Sequence, residues 1–395
     1  MGILIRKEKG LVSTTISRLA IISLIASLSY SLIDTIWAIY INSYVQSVVF
    51  VGLLSAILTL ISFISYFLFI PIIEKKDKSR IYSFSLLIFA LSYILFALNT
   101  KFYFFIIISF ILVVFQTLRI TSFGIIVRDK SYERYLSRNE GLMYAFTNVA
   151  WVIGPLISGF ISEKYGIRIV FVLAAIFVLI AFFLFKISNI KDKKTKKKID
   201  LNFYKNFIEF FKNKDRVLAY LFGGGVNYWW SLIYLFVPLL IIKTLHVAWV
   251  GYFLFAIAVP TILFPYYFGS LAGKIGFRKI FSIGFLIPCF FALLCFFTTN
   301  IYLIMAFLVL ASVGLSMLES TTEAYFFDVL KGKQDLRFYG PYNTTIDVNH
   351  FIGRILSSII LIFLPFKFIF LFFSLSMFVF FLFSLKAKKI IESKK

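Results

Sequence analysis

Twelve apolar runs, each about as long as a lipid bilayer is thick, dictate what this chain can become. A helix needs about 20 mostly apolar residues to cross the hydrocarbon core. Runs of that kind lie at 19–40, 48–70, 81–98, 102–127, 141–162 and 169–185, and again at 217–242, 248–268, 280–297, 301–327, 339–363 and 368–385. A single long hydrophilic stretch interrupts them, Lys186 to Arg216, near the midpoint of 395 residues. Composition agrees: 61% of residues are hydrophobic and 15% charged, and mean hydropathy is +0.94, against about 45–50% and about 25% in soluble domains. The alternating pattern of an outer-membrane barrel is absent. The fold class expected is an all-α polytopic membrane protein of twelve transmembrane helices.

The two sides of the hydrophilic stretch repeat. Val51-Gly52, Asp129, Arg138, Gly141 and Gly154 return as Val250-Gly251, Asp328, Arg337, Gly340 and Gly353, every pair 199 residues apart. In so apolar a chain, matched Asp, Arg and Gly at one offset point to two similar halves. We therefore expect a six-helix bundle over 1–185, a cytoplasmic basic linker over 186–216, and a second six-helix bundle over 217–395. Within the linker, 191–198 is a basic run suited to anionic headgroups. Residues 200–214 have helical periodicity, with Leu201, Tyr204, Phe207, Ile208 and Phe211 on one side and Asn202, Lys205, Glu209 and Lys212 on the other. That pattern predicts a helix lying in the membrane interface.

Net charge is +23, which could suggest nucleic acid. Its distribution argues otherwise. The N-terminus, the even-numbered loops and the C-terminus hold 34 of the 41 Lys and Arg, the opposite loops hold five, and Arg119 and Arg354 lie inside spans. The asymmetry follows the positive-inside rule and predicts cytoplasmic termini and linker. No basic-aromatic nucleic-acid module is visible. The two cysteines, Cys289 and Cys295, form neither a CxxC nor a disulfide framework, and no metal ligand set or cofactor is expected. The segment Gly269 to Lys274 resembles a phosphate loop only in part, because Ile275 stands where that loop needs Ser or Thr. No ATPase or other enzyme chemistry is expected.

Polar side chains inside the spans mark candidate sites. Ser23, Ser27, Ser31 and Asp34 share one face of the first span; Gln116 and Arg119 lie in the fourth; Asn227, Ser231 and Tyr234 form a stripe beside Trp230 in the seventh; Ser312, Ser316, Glu319 and Glu323 form one in the tenth. These spans are equivalent under the repeat. A lipid-facing charge costs about 2.5–3.5 kcal/mol, so the charges among them are expected around a water-filled cavity. The serines are expected to join helices within each half. The eleventh span adds Asn343, Asp347, His350 and Arg354, with an internal pair between Arg354 and Glu319 or Asp347 expected.

Short motifs complete the reading. Gly269-Ser-Leu-Ala-Gly-Lys274-Ile-Gly-Phe-Arg278-Lys279 is similar to the G-x-L-A-D-[RK]-x-G-R-R-K loop of the major facilitator superfamily, with Gly273 where an acid is usual. The equivalent first-half loop, 70–80, keeps Glu74 at the acidic position but not the glycines. Ala150-Trp-Val-Ile-Gly154-Pro155-Leu-Ile-Ser158-Gly159 resembles the antiporter signature of that family. The resemblance covers nearly the whole chain and implies a secondary transporter working by alternating access, in a monomer of the plasma membrane. It implies that Glu74, Lys75, Arg80, Lys274, Arg278 and Lys279 latch the cytoplasmic face with Asp129 and Arg138. It also implies a packing role for Gly154, Pro155 and Gly159. For the cavity, the membrane position of Asp34, Gln116, Arg119, Asn227, Trp230, Tyr234, Glu319, Glu323, Asp347 and Arg354 makes them candidates to meet a small-molecule substrate and protons. The activity expected is proton-coupled efflux of drug-like or amphipathic compounds. Alternatives are uptake of a sugar or organic metabolite, or a transport-inactive receptor.

Overall fold

A computed structural model describes residues 14–131, 136–190, 203–330 and 335–388. The basic run at 191–198 lies outside them, as do the side chains of Glu74, Lys75 and Arg138. Among the described residues the first half forms α1 (Thr14–Val45), α2 (Val48–Lys75), α3 (Lys78–Leu98), α4 (Phe102–Lys130), α5 (Leu136–Tyr165) and α6 (Ile167–Ile187). The linker contributes α7 (Phe203–Phe211). The second half forms α8 (Lys214–Ser231), α9 (Val237–Ile241), α10 (Ala248–Leu263), α11 (Pro265–Ile275), α12 (Phe277–Phe297), α13 (Ile301–Val329), α14 (Asp335–Asn343), α15 (Thr345–Phe363) and α16 (Lys367–Ser384). Helices dominate because hydrocarbon offers no partner for a backbone N–H or C=O, and a helix satisfies both internally.

Among the described residues, eleven helices or helix runs are long and apolar enough to cross a membrane, and twelve if α10 and α11 count as one. That pair is bent by 45°. The eighth span, read from sequence as a straight 248–268, therefore breaks at Phe264. Pro265 supplies no N–H and disfavours helical backbone in the residue before it. The motif from Gly269 onward, read as a loop, is helical to Ile275. The turn comes at Gly276, whose φ of 86° suits a residue without Cβ. The seventh span runs from Lys214 to Ile241 but loosens to a π-turn over Leu232–Phe236. Side-chain caps fix other starts: Asn213 accepts from the N–H groups of Asp215 and Arg216, Asn300 from Tyr302 and Leu303, and Asp77 from Arg80.

The chain divides into two compact units, 1–36 with 64–198 and 37–63 with 199–395. One boundary of the division falls at 198–199, in the stretch read as the linker. However, the end of α1 and the first half of α2 belong with the second unit, where the sequence reading put them in the first bundle. The reason is visible at Gly52, over which the Ser358 side chain and the Phe236 ring close too tightly to admit a Cβ.

Within each unit the repeat is a repeat of packing. In the first, α3 lies against α4 and α6; in the second, α12 lies against α13 and α16, the corresponding helices. A finer correspondence joins the first and fifth spans of each half. A Cβ on Gly154 would run into the side chain of Ser31, and a Cβ on Gly353 into that of Ser231. Missing side chains let the helices approach, as small residues do throughout membrane bundles. The contact is reinforced by Ser158 donating to the Leu32 carbonyl (2.7 Å) in one unit and Thr345 donating to the Tyr220 carbonyl (2.9 Å) in the other.

Helix α7 docks on the second unit. Arg337 binds Glu209 through one terminal nitrogen and Asn206 through Nε (2.6 Å), while Arg216 caps the Phe210 and Glu209 carbonyls. Phe210 is fully buried, and Ile208 and Phe211 remain exposed. Of the apolar side read from sequence, Ile208 and Phe211 are exposed and Phe207 is half-buried, while the side chains of Leu201 and Tyr204 lie outside the described residues; Phe210, off that side, is the residue the helix buries.

Candidate functional site

In the first unit the polar face of α1 splits by role. Ser23 and Ser27 reach Thr147 on α5 (3.0 and 3.4 Å), and Ser31 lies beneath Gly154. These serines join helices. Asp34, one turn beyond Tyr30, is half-buried. Arg119, from α4, lays its guanidinium on the Tyr30 ring, with Cζ 3.8 Å from the ring centroid, and stands 5.4 Å from that of Phe89. The two rings meet edge to face at 5.2 Å, and Tyr93 extends the aromatic group, 5.8 Å from Phe89. Arg119 Nε is buried and has no hydrogen-bond partner among the described residues. The Tyr30 hydroxyl feels the guanidinium but meets no partner in hydrogen-bond geometry. An arginine at the middle of a membrane helix costs about 2.5–3.5 kcal/mol, and stacking on aromatic faces returns about 0.5–2 kcal/mol. The rings offset only part of the cost. Gln116, expected to accompany Arg119, lies on the exposed side of α4: three residues along a helix turn the side chain about 300°, which here carries it past the packed face.

In the second unit, Glu319 is half-buried on α13 beside the indole N–H of Trp230. Among the described residues no cation pairs with it. Trp230 in turn packs on Tyr234, with ring centroids 5.6 Å apart. The aromatic stripe of the seventh span is thereby divided, since Tyr228 and Trp229 are buried in the core, Tyr228 stacked on Phe373 at 4.5 Å. Asn227 donates to the Gly223 carbonyl of its own helix. Arg354 turns its guanidinium to α2, donating to Thr59 Oγ1 (2.5 Å) and the Ser55 carbonyl (3.3 Å). Asp347 lies within hydrogen-bond reach of Ser62 and in the field of Arg354. No ion pair joins Arg354 to Glu319; the arginine reaches the second span instead. Only Thr59 contributes a side chain to this contact, so its hydroxyl was the one signal in the sequence, while the Ser55 carbonyl left none. Tyr30 was also missed, since an aromatic in an apolar run carries no mark of its partner.

Glu323 is placed differently from Glu319. It is exposed near the end of α13, where it accepts a hydrogen bond from Tyr339 (2.8 Å). One turn beyond Glu319, the helix has already left the packed region. Of the latch candidates, Arg80 is largely exposed and pairs with Asp77, its own helix cap, at 3.2 Å. Lys274 and Lys279 are exposed, Arg278 and Asp129 half-buried. Gly154, Pro155 and Gly159 are buried within α5, with Pro155 inside the helix.

The family model of the Major Facilitator Superfamily matches residues 19–264 and, again, 228–394. The chain belongs to the Major Facilitator Superfamily. Its solved relatives in shape are transporters of that fold. A nucleoside transporter superposes with a TM-score of 0.75 at 13% identity, covering 95% of this chain and 100% of the other. A POT family transporter in complex with 5-aminolevulinic acid superposes at 0.73 with 14% identity, covering 94% and 95%. An uncharacterized MFS-type transporter of Methanocaldococcus jannaschii is 24% identical over 225 residues, 56% of this chain and 58% of that protein. This superfamily member is a multi-pass membrane transporter.

Proposed function

We propose that the protein is a secondary active transporter that exports amphipathic small molecules by alternating access, in exchange for protons. It acts as a monomer in the plasma membrane with its termini on the cytoplasmic side. The observation that carries the coupling is Glu319, an acid inside a membrane-spanning helix with a Trp indole N–H beside it and no described cation to pair with. A carboxyl group inside a span with no described cation beside it can exchange a proton when the cavity changes the side it opens to. Asp34 and Asp347 are further acids in spans, and Asp347 sits in the field of Arg354. The glycine-proline segment of α5 supports the export direction, in line with the antiporter-like signature. Trp230, Tyr234, Asn227 and Gln116 remain candidates for contact with the solute, and the basic loop residues with Asp129 and Arg138 for the cytoplasmic latch.

The test is transport by the full chain in proteoliposomes against a panel of solutes, with and without a pH gradient. Glu319→Gln should abolish gradient-driven accumulation and keep solute exchange at equal pH. Unchanged gradient-driven transport in that variant would refute the role of Glu319. The solved relatives named for peptides and nucleosides make those compounds the first alternative members of the panel.

A further inference from the structure

Among the described residues of the first unit, Arg119 is the cation that lies at the middle of a membrane-crossing helix, and the rings of Tyr30 and Phe89 stand against it. Its Nε is buried without a hydrogen-bond partner among the described residues. A planar guanidinium binds a carboxylate or phosphate with two parallel hydrogen bonds, and the Tyr30 and Phe89 rings hold its plane in place. Beside it the Tyr30 hydroxyl is a second buried donor without a partner. Phe89 and Tyr93 continue the aromatic surface, and the Tyr82 and Tyr93 hydroxyls lie in the field of the guanidinium, with Asp34 in that of Tyr93. Donors that match a two-oxygen anion thus stand next to rings that match an apolar body.

We propose that Arg119 and Tyr30 receive the charged head of the transported solute, and that the substrates are organic anions carrying a carboxylate or phosphate on an aromatic or aliphatic body. The inference rests on the transport reading above and narrows it to a substrate class. It differs from a packing role for Arg119, in which the rings alone complete its surroundings and no ligand is involved.

Equilibrium binding to the full chain in detergent separates the readings without a gradient. The probes are 3-phenylpropionate, its neutral amide of nearly the same shape, and phenyl phosphate. The acid should bind at least tenfold more tightly than the amide. The phosphate arm shows which of the two head groups is preferred. Arg119→Gln should bring the acid down to the level of the amide, and Arg119→Lys, which keeps the charge but loses the fork, should restore part of the difference. Acid and amide binding within twofold of each other, no binding of any of the three, or an undiminished preference in Arg119→Gln would overturn the proposal. A second measurement uses unaltered protein and does not depend on how the variants fold. Phenylglyoxal should modify Arg119, read by peptide mass mapping, and phenylpropionate but not its amide should protect it. An unreactive Arg119, or equal protection by both, counts against the site. Loss of proton coupling in Glu319→Gln with the acid preference intact would leave this proposal standing, and the reverse result would remove it while sparing the coupling.

Discussion

Gly154→Ala offers a quantitative test of the packing that the two halves share. An ideal Cβ there lies 2.6 Å from Ser31 Cβ and 3.4 Å from the Ser31 carbonyl carbon. Carbon atoms in contact prefer about 3.5–4.0 Å, so α1 or α5 must yield by about 1 Å. Overpacking of that order costs about 1–3 kcal/mol. At about 2–4 °C per kcal/mol for a unit of this size, thermal unfolding should shift down by about 2–12 °C. Ser31→Gly vacates the obstructed space at a helix-propensity cost of less than about 1 kcal/mol. The double variant should therefore recover at least about 1 kcal/mol of the loss, an interaction that a double-mutant cycle isolates. Gly353→Ala should be milder, because there the Ser231 Cβ is 3.1 Å away and the closest obstruction is the hydroxyl alone, which Ser231→Ala removes. The assay is thermal unfolding in detergent followed by tryptophan fluorescence, with Trp151 one turn from Gly154. A Gly154→Ala protein that melts like the parent, or one that Ser31→Gly fails to rescue, would refute the close approach as its cause.

Other perturbations test other parts of the structure. Single cysteines at Ser47, Thr100 and Thr299 should react from outside with an impermeant thiol reagent and one at Ser79 should not; labelling at Ser79 in intact cells would reverse the orientation. Asp34→Asn should weaken pH-driven transport while leaving solute exchange, measured in proteoliposomes, and unchanged pH-driven transport would leave coupling to Glu319. Fragments cut near Lys194 and co-expressed should assemble and transport, whereas the second fragment alone should not be stable, because its unit includes 37–63; recovery of the lone fragment as a folded protein would count against that. Arg337→Ala removes a partly exposed charged contact with Glu209 and the bond to Asn206, worth about 0.5–2 kcal/mol after solvent screening, and should speed tryptic cleavage at Lys205 and Lys212; an unchanged cleavage rate would show that Phe210 alone holds α7.

What sequence could show follows the reach of each interaction. Span number and the two-fold repeat are set by hydropathy and by residues at one offset, and both are visible along the chain. The bend at Phe264 was in principle legible, since Pro265 follows directly, yet continuous apolarity on either side hid it. Side-chain meetings were not legible at all. Tyr30 and Arg119 are 89 positions apart, and Ser55 and Arg354 are 299 apart, so only the packed helices bring them together. The inclusion of 37–63 in the second unit was hidden for the same reason: Gly52 announces a close approach but not to which helix. Period alone puts Glu323 in line with Glu319, whereas its greater exposure depends on where along the helix the packed region ends.

The repeat also separates what both halves must keep from what only one must hold. Each half has to bring its first and fifth spans together, and each does so with a glycine facing a serine, at positions 154 and 31 and at 353 and 231. Loss of either would open one bundle, so the packing is required twice. Charge is needed only once. The residue 199 positions after Arg119 is Leu318, and the one 199 before Glu319 is Ile120. The fourth and tenth spans, neighbours in register, thus carry opposite charges: a cation set on rings in one unit, an acid beside an indole in the other. Two membrane-buried charges that merely stabilised their own bundles would be expected in both copies, as the glycines are. That each occurs in a single copy is the pattern expected if, as we propose, they are kept for what enters and leaves: an anion for Arg119, a proton for Glu319.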